Sequence, residues 1–152
     1  MKRFALGVLV FAVVFWVWLV PYLIGRLMPV SYYVSDIALV VHDAAEGDPV
    51  PMSLARVVHR DFDAAFVSQV RMDSAAGPLV AGCEGETTPV RSLAGSPPAV
   101  GLTLHRWLGY PPCSLEPGKY VLVSEARIQG PLGSTVRVPI VTNVFKISKG
   151  PK

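Results

Sequence analysis

The sequence predicts an all-β domain, an antiparallel sandwich of about seven strands, preceded by one N-terminal transmembrane helix. Three observations carry that expectation. The chain begins with an unbroken apolar run over residues 4–25. From Pro29 onward it changes to short β-branched and aromatic segments separated by Pro, Gly, Asp and Ser, the punctuation of strands and turns. No segment after residue 30 keeps an amphipathic helical period for more than two turns. Two units follow: residues 1–27, a cytoplasmic stub with a signal-anchor helix, and residues 28–150, an exported sandwich.

The composition agrees. Of 152 residues, 51% are hydrophobic and 16% charged, and the mean hydropathy is +0.44, which excludes a disordered tail and a coiled coil. A pI near 9.0 raises the question of a nucleic-acid partner. Lys2, Arg3 and Arg26 account for the whole net charge of +3. The remaining chain is formally neutral and offers no basic stripe to neutralise phosphates, so no nucleic acid is expected.

The apolar run, FALGVLVFAVVFWVWLVPYLIG, carries no charged or strongly polar side chain. As a helix it reaches about 33 Å, enough for a hydrocarbon core of about 30 Å. A cleaved signal peptide is the competing reading. The run is longer than the usual h-region, and no A-x-A-like site follows it, which favours a retained anchor. Lys2, Arg3 and the α-amino group precede it and only Arg26 closely follows, so the N-terminus is expected in the cytoplasm and the rest outside a bacterial inner membrane. Phe4 and Phe15 belong to the apolar body, while Trp16, Trp18 and Tyr22 gather toward the exit end, at headgroup level. Pro21 sits in about the last turn, where a missing donor costs little. Phe11 stands four residues after Gly7, so no GxxxG dimer face is present. The glycine processing site and glutamate of a type IV pilin are missing too.

The expected strands cover residues 31–42, 53–60, 65–72, 78–82, 101–107, 119–128 and 135–147, and residues 92–100 read as a loop. Alternation is clearest around Arg71, in Lys119-Tyr120-Val121-Leu122-Val123 and in Thr135-Val136-Arg137-Val138, as where one face meets a core.

Leu115-Glu116-Pro117-Gly118-Lys119-Tyr120 is the most informative local signature. Pro117-Gly118 makes a turn, and Tyr120 opens a strand with a ring that packs inward while its hydroxyl reaches backbone. The segment resembles the L-x-P-G-x-Y strand start of immunoglobulin-like and fibronectin type III-like sandwiches. That resemblance implies a tyrosine bracing the corner between two sheets. Leu122 stands where antibody-type domains carry a cysteine. The layout as a whole, a basic start, one apolar span and a short β-domain ending in TNVFKI, resembles small single-span envelope proteins of phages and prophages. This second resemblance implies an accessory protein facing the envelope.

Cys83 and Cys113 both follow the span, and in an oxidising exterior two exported cysteines most simply pair. Closing that loop stabilises by about 3–4 kcal/mol in the chain-entropy description. Free thiols are the alternative; a metal or redox pair would need C-x-x-C or clustered Cys/His, and neither occurs. His42, His59 and His105 lack the H-x-M spacing of a copper site and read as partly exposed strand histidines. Asp43, Glu46 and Asp48 form a turn-like stretch in which Ala44 and Ala45 interrupt the oxygen ligands a calcium loop requires. Asp61 and Asp63 read as turn formers, and Glu84 and Glu86 as loop residues. G-x-S-x-G, S-x-x-K, H-E-x-x-H, Walker A and dinucleotide motifs are missing.

The expectation is therefore a non-catalytic protein without metal or cofactor. Its partners would be the lipid bilayer, through residues 4–25, and a membrane or periplasmic protein. Trp107, Leu108, Tyr110, Pro111 and Pro112 form the candidate partner patch, two aromatics beside a Pro-Pro kink tethered by Cys113. For the segment itself, Trp107 in the core with Tyr110 capping it is the preferred assignment. Envelope guarding or remodelling through the sandwich is preferred. The alternative is an accessory subunit of a membrane complex, packing through the Trp16/Trp18 face of its helix. A metallochaperone or a hydrolase is the remaining option.

Overall fold

Alternating sequence in two long strands organises the domain. In the computed structural model, which describes residues 2–130 and 135–150, the elements in order are α1 (Lys2–Leu27), β1 (Val34–Val41), β2 (Ala44–Ala45), β3 (Pro51–Val58), β4 (Phe62–Met72), β5 (Leu79–Glu86), β6 (Val90–Ser92), β7 (Ala99–Thr103), α2 (Leu104–Trp107), β8 (Gly118–Gln129), β9 (Thr135–Val141) and β10 (Phe145–Ser148). Residues 131–134 of the expected domain and residues 151–152 lie outside the described residues. β4 and β8 pair antiparallel from Asp63 opposite Gln129 to Met72 opposite Tyr120. Their even-numbered residues turn inward: Phe62, Ala64, Ser68 and Val70 from β4, Tyr120, Leu122, Ser124, Ala126 and Ile128 from β8 are buried.

Among the described residues strands predominate, and they form two sheets. The larger runs β2-β10-β8-β4-β5, with β6 also on β4 and β9 also on β8; the smaller runs β1-β3-β7. Between them lies a core that includes Leu39, Val41, Met52, Leu54, Val70, Leu122, Phe145 and Ile147. Each such side chain contributes about 1.5–3 kcal/mol by leaving water. A second cluster closes the end nearest α1, where Tyr33, Val34, Val58, Phe62, Ala64 and Ile128 pack with Met28, Val30 and Tyr32. β3 turns Arg56 inward between Leu54 and Val58. Its Nη2 donates to Ser92 Oγ at 3.3 Å, its Nε is buried without a partner, and burial holds its pKa below the usual arginine value.

Several expected boundaries move. Residues 30–32 form a 3-10 turn, because Tyr32 N and Tyr33 N bond back to Pro29 O and Val30 O before β1 begins. The expected strand at 78–82 continues to Glu86, which places Cys83, Glu84 and Glu86 in β5; Asp63 likewise lies in β4 instead of a turn. The loop expected at 92–100 is shorter, with β6 ending at Ser92 and β7 starting at Ala99. The strand expected at 135–147 breaks at Thr142-Asn143-Val144. There Asn143 Oδ1 accepts from Val41 N at 3.0 Å and its Nδ2 donates to Val41 O at 2.8 Å, so a side chain serves the free edge of β1 as a strand would. Tyr120 OH donates to Glu116 O at 2.8 Å, tying the start of β8 to the chain four residues upstream.

α1 is 26 residues long and continuous through the expected span. Each side chain from Val10 to Trp18 is exposed around the whole circumference, uncovered by the rest of the chain. Phe4 and Pro21 have side chains outside the described residues. Among the described residues no helix is long and apolar enough to cross a membrane.

Candidate interaction surface

Residues 103–113 carry the candidate patch, and their sequence explains their path. Thr103 is extended (φ −126°, ψ 150°) and its Oγ1 accepts from Arg106 N at 3.4 Å, which starts α2. The one-turn helix puts Leu104, Trp107 and Leu108 on one side, all buried. Gly109 (φ 77°) ends it in the left-handed conformation, where a side chain is strained. Gly85 of β5 has no Cβ to collide with the Leu108 carbonyl, so the loop lies directly on the strand. The Cys83–Cys113 disulfide, spanning 30 residues, fixes the far end of this loop to β5.

Trp107 is therefore a core residue. Its Nε1 donates to Ser68 Oγ at 3.0 Å, with Ser124 Oγ at 3.3 Å, and the two hydroxyls bond each other at 2.8 Å across β4 and β8. Phe66 lies against its ring, centroids 4.5 Å apart. The core assignment holds for Trp107, which is 7% exposed; with Leu108 at 1%, both leave the candidate five-residue patch. Tyr110, 65% exposed, remains outside with Pro112 exposed and Pro111 half-buried. Tyr110 holds a positive φ of 64°, unusual for a residue with a Cβ, and its ring meets His105 edge-on at 5.0 Å. An aromatic ring is thus held outward on a short, cross-linked loop. A concavity of about 460 Å³ is lined by Asp48, Pro49, Thr103, Ser114, Leu115 and by His105, the residue whose ring Tyr110 meets, among others.

A second, shallower concavity of about 590 Å³ lies on the outer face of the larger sheet. Its charges compensate one another: Arg127 bonds Glu125 at 2.9 Å and reaches Glu86 at 3.5 Å, and Arg137 reaches Glu125 at 3.9 Å. The bond to Glu125 raises the Arg127 pKa. Such exposed pairs are screened by water and mainly set the charge pattern of that face.

The remaining candidates are dispersed. His42 meets Ser53 Oγ at 3.3 Å, His59 meets Ser35 Oγ at 2.9 Å, and His105 meets Tyr110. Asp43 accepts from Lys146 N at 2.7 Å, and Asp61 accepts from Ala94 N at 2.9 Å while pairing with Arg91 at 3.6 Å. Among the described residues no group of three His, Cys, Asp or Glu is placed to hold a metal. On α1, Trp16 and Trp18 do not share a face, since two residues of helix turn about 200°. Phe11, Phe15, Trp18 and Tyr22, spaced four, three and four apart, do share one, and the Phe11 and Phe15 rings stack at 6.3 Å. That heptad spacing was available in the sequence; the Ser68–Ser124 pair, joined only by the register of β4 and β8, was not.

No known protein family, no curated protein and no solved structure matches the chain.

Proposed function

We propose that this is a single-span, non-catalytic membrane protein whose exported sandwich is a protein-interaction module. The carrying observation is the junction of two opposites. A 26-residue helix, apolar and exposed all round where its side chains are described, passes after two residues into a disulfide-stapled domain. An uncovered apolar helix of this kind requires lipid or protein around it. Lys2 and Arg3 before the helix favour a cytoplasmic N-terminus, and the disulfide favours an oxidising compartment for the domain. The domain reads as immunoglobulin-like. Strands β1-β3-β7 against β5-β4-β8-β9, with Tyr120 bonded to Glu116, support that assignment. Tyr110 and the concavity that shares His105 with it are the docking element, and an envelope-facing role of phage or prophage type is the setting this layout suits.

The test is carbonate extraction of membranes from expressing cells, followed by protease and thiol alkylation of intact spheroplasts. The reading requires a carbonate-resistant chain, a sandwich cut from outside, and Cys83 and Cys113 unreactive until reduced. Release by carbonate, or alkylation without reduction, defeats it.

A second reading rests on the aromatic seam. Phe11, Phe15, Trp18 and Tyr22 present a heptad stripe suited to a partner helix, as an accessory subunit of a membrane complex would use. Loss of a co-purifying subunit on Phe15→Ala/Trp18→Ala, with Tyr110→Ala silent, selects this reading over the first.

A further inference from the structure

The end of the sandwich nearest α1 is made by three segments tied together by hydrogen bonds. His59 N and Arg60 N bond Tyr33 O at 2.9 and 3.4 Å, Gly95 N bonds Val58 O at 3.0 Å, and Ala94 N bonds Asp61 Oδ1 at 2.9 Å. α1 ends at Leu27 and the 3-10 turn begins at Val30, so only Met28 and Pro29 separate helix from domain. Two residues span at most about 7 Å. Met28 and Val30 already pack into the cluster around Tyr33 and Phe62, so the junction is part of the domain and not a tether.

What this end presents is unlike an ordinary loop surface. Leu93, the first residue of the β6–β7 connection, stands 53% exposed. The Arg60 guanidinium sits 4.4 Å over the Tyr32 ring, and among the described residues it has no carboxylate partner. Arg91 beside it is paired to Asp61. An exposed leucine, an aromatic ring and an uncompensated cation together match the chemistry of a headgroup layer with its anionic phosphates.

We propose that residues 29–33, 59–61 and 93–95 form a second membrane contact, with Leu93 among the lipid headgroups and Arg60 against lipid phosphate. This deepens the anchored reading and rests on it. The contact fixes the sandwich upright on the bilayer and leaves the loops at its other end pointing away.

The test uses the full chain, disulfide intact, reconstituted in phosphatidylglycerol-containing vesicles, with an environment-sensitive label on single thiols at Leu93→Cys, Val13→Cys or Asp48→Cys. Asp48 lies beyond the eight-residue β1, about 26 Å from this end. Nitroxide lipids are the quenchers. The expected result is loss of Val13-site fluorescence to acyl-chain nitroxide, loss of Leu93-site fluorescence to headgroup nitroxide, and none at the Asp48 site. Arg60→Ser lowers the contacted fraction about fivefold, and phosphatidylcholine alone does the same. Quenching at the Val13 site without quenching at the Leu93 site overturns the contact while leaving the anchor standing, and frees this end for a protein partner. Equal quenching at the Leu93 and Asp48 sites also overturns it. No quenching at the Val13 site defeats the anchor and, with it, this contact.

Discussion

Trp107 decides whether the α2 loop is core or surface, and replacing it gives a loss that can be worked from its contacts. Trp107→Phe keeps an aromatic ring against Phe66 but removes the Nε1 donor to Ser68 and Ser124. The serines keep their mutual bond at 2.8 Å, so neither is orphaned and the lost bond costs about 1 kcal/mol. The smaller ring leaves a void of roughly 40 Å³, which adds about 1 kcal/mol. The expected loss is therefore about 2 kcal/mol, and Trp107→Ala should lose about 3–5 kcal/mol. Ser68→Ala/Ser124→Ala, with tryptophan retained, strands a buried indole N–H and should cost about 1–3 kcal/mol. Combining it with Trp107→Phe should be less damaging than the sum, because the phenyl ring demands no acceptor. Urea unfolding of the full chain in mild detergent, followed by β-sheet circular dichroism, measures each change. A loss under about 0.5 kcal/mol for Trp107→Ala would refute the buried assignment and return the tryptophan to the surface.

Three further outcomes are expected. Cys83→Ala/Cys113→Ala opens a 30-residue separation and should cost about 3–4 kcal/mol, a fall in Tm on the order of 10–20 °C by differential scanning fluorimetry; an unchanged Tm would mean the bridge does not restrain the unfolded chain. Tyr120→Phe should cost about 1 kcal/mol, the worth of its bond to the Glu116 carbonyl. Burial, then the charge of Glu116, raises the Tyr120 pKa above its unfolded value, so its stabilisation is complete below about pH 10 and fades as pH rises through the folded value; melting curves across alkaline pH should fall less steeply for Tyr120→Phe than for the native chain. Arg56→Met replaces a half-buried cation with an unpartnered Nε and should be neutral or stabilising by about 1 kcal/mol in urea, whereas a clear loss would show that the Ser92 bond outweighs desolvation.

The sequence was most informative where structure is local. β4 and β8 announce themselves by alternation, and Pro117-Gly118-Lys119-Tyr120 marks the corner because turn, strand and hydroxyl acceptor all lie within a few residues. α2 was misread because Leu104, Trp107 and Leu108 look apolar in either conformation; the signal was Thr103 as a cap followed by i, i+3, i+4 spacing over a single turn. The break after Val141 was hidden for a different reason. Asn143 leaves the strand pattern to serve Val41, a residue 102 positions away, and no local rule registers such a partner. Burial of Trp107 depended likewise on Ser68 and Ser124, whose hydroxyls meet only after two strands align.

The two-residue junction after α1 sets a reach. Along the twelve-residue β8 the domain extends about 40 Å, and there is no stalk to lengthen it. In the proposed anchored state every surface of the domain stays within that distance of the lipid, and a partner has to come that close to meet it. Inserting a flexible linker after Met28 would relax that limit and the domain's orientation together, turning a bracket into a leash.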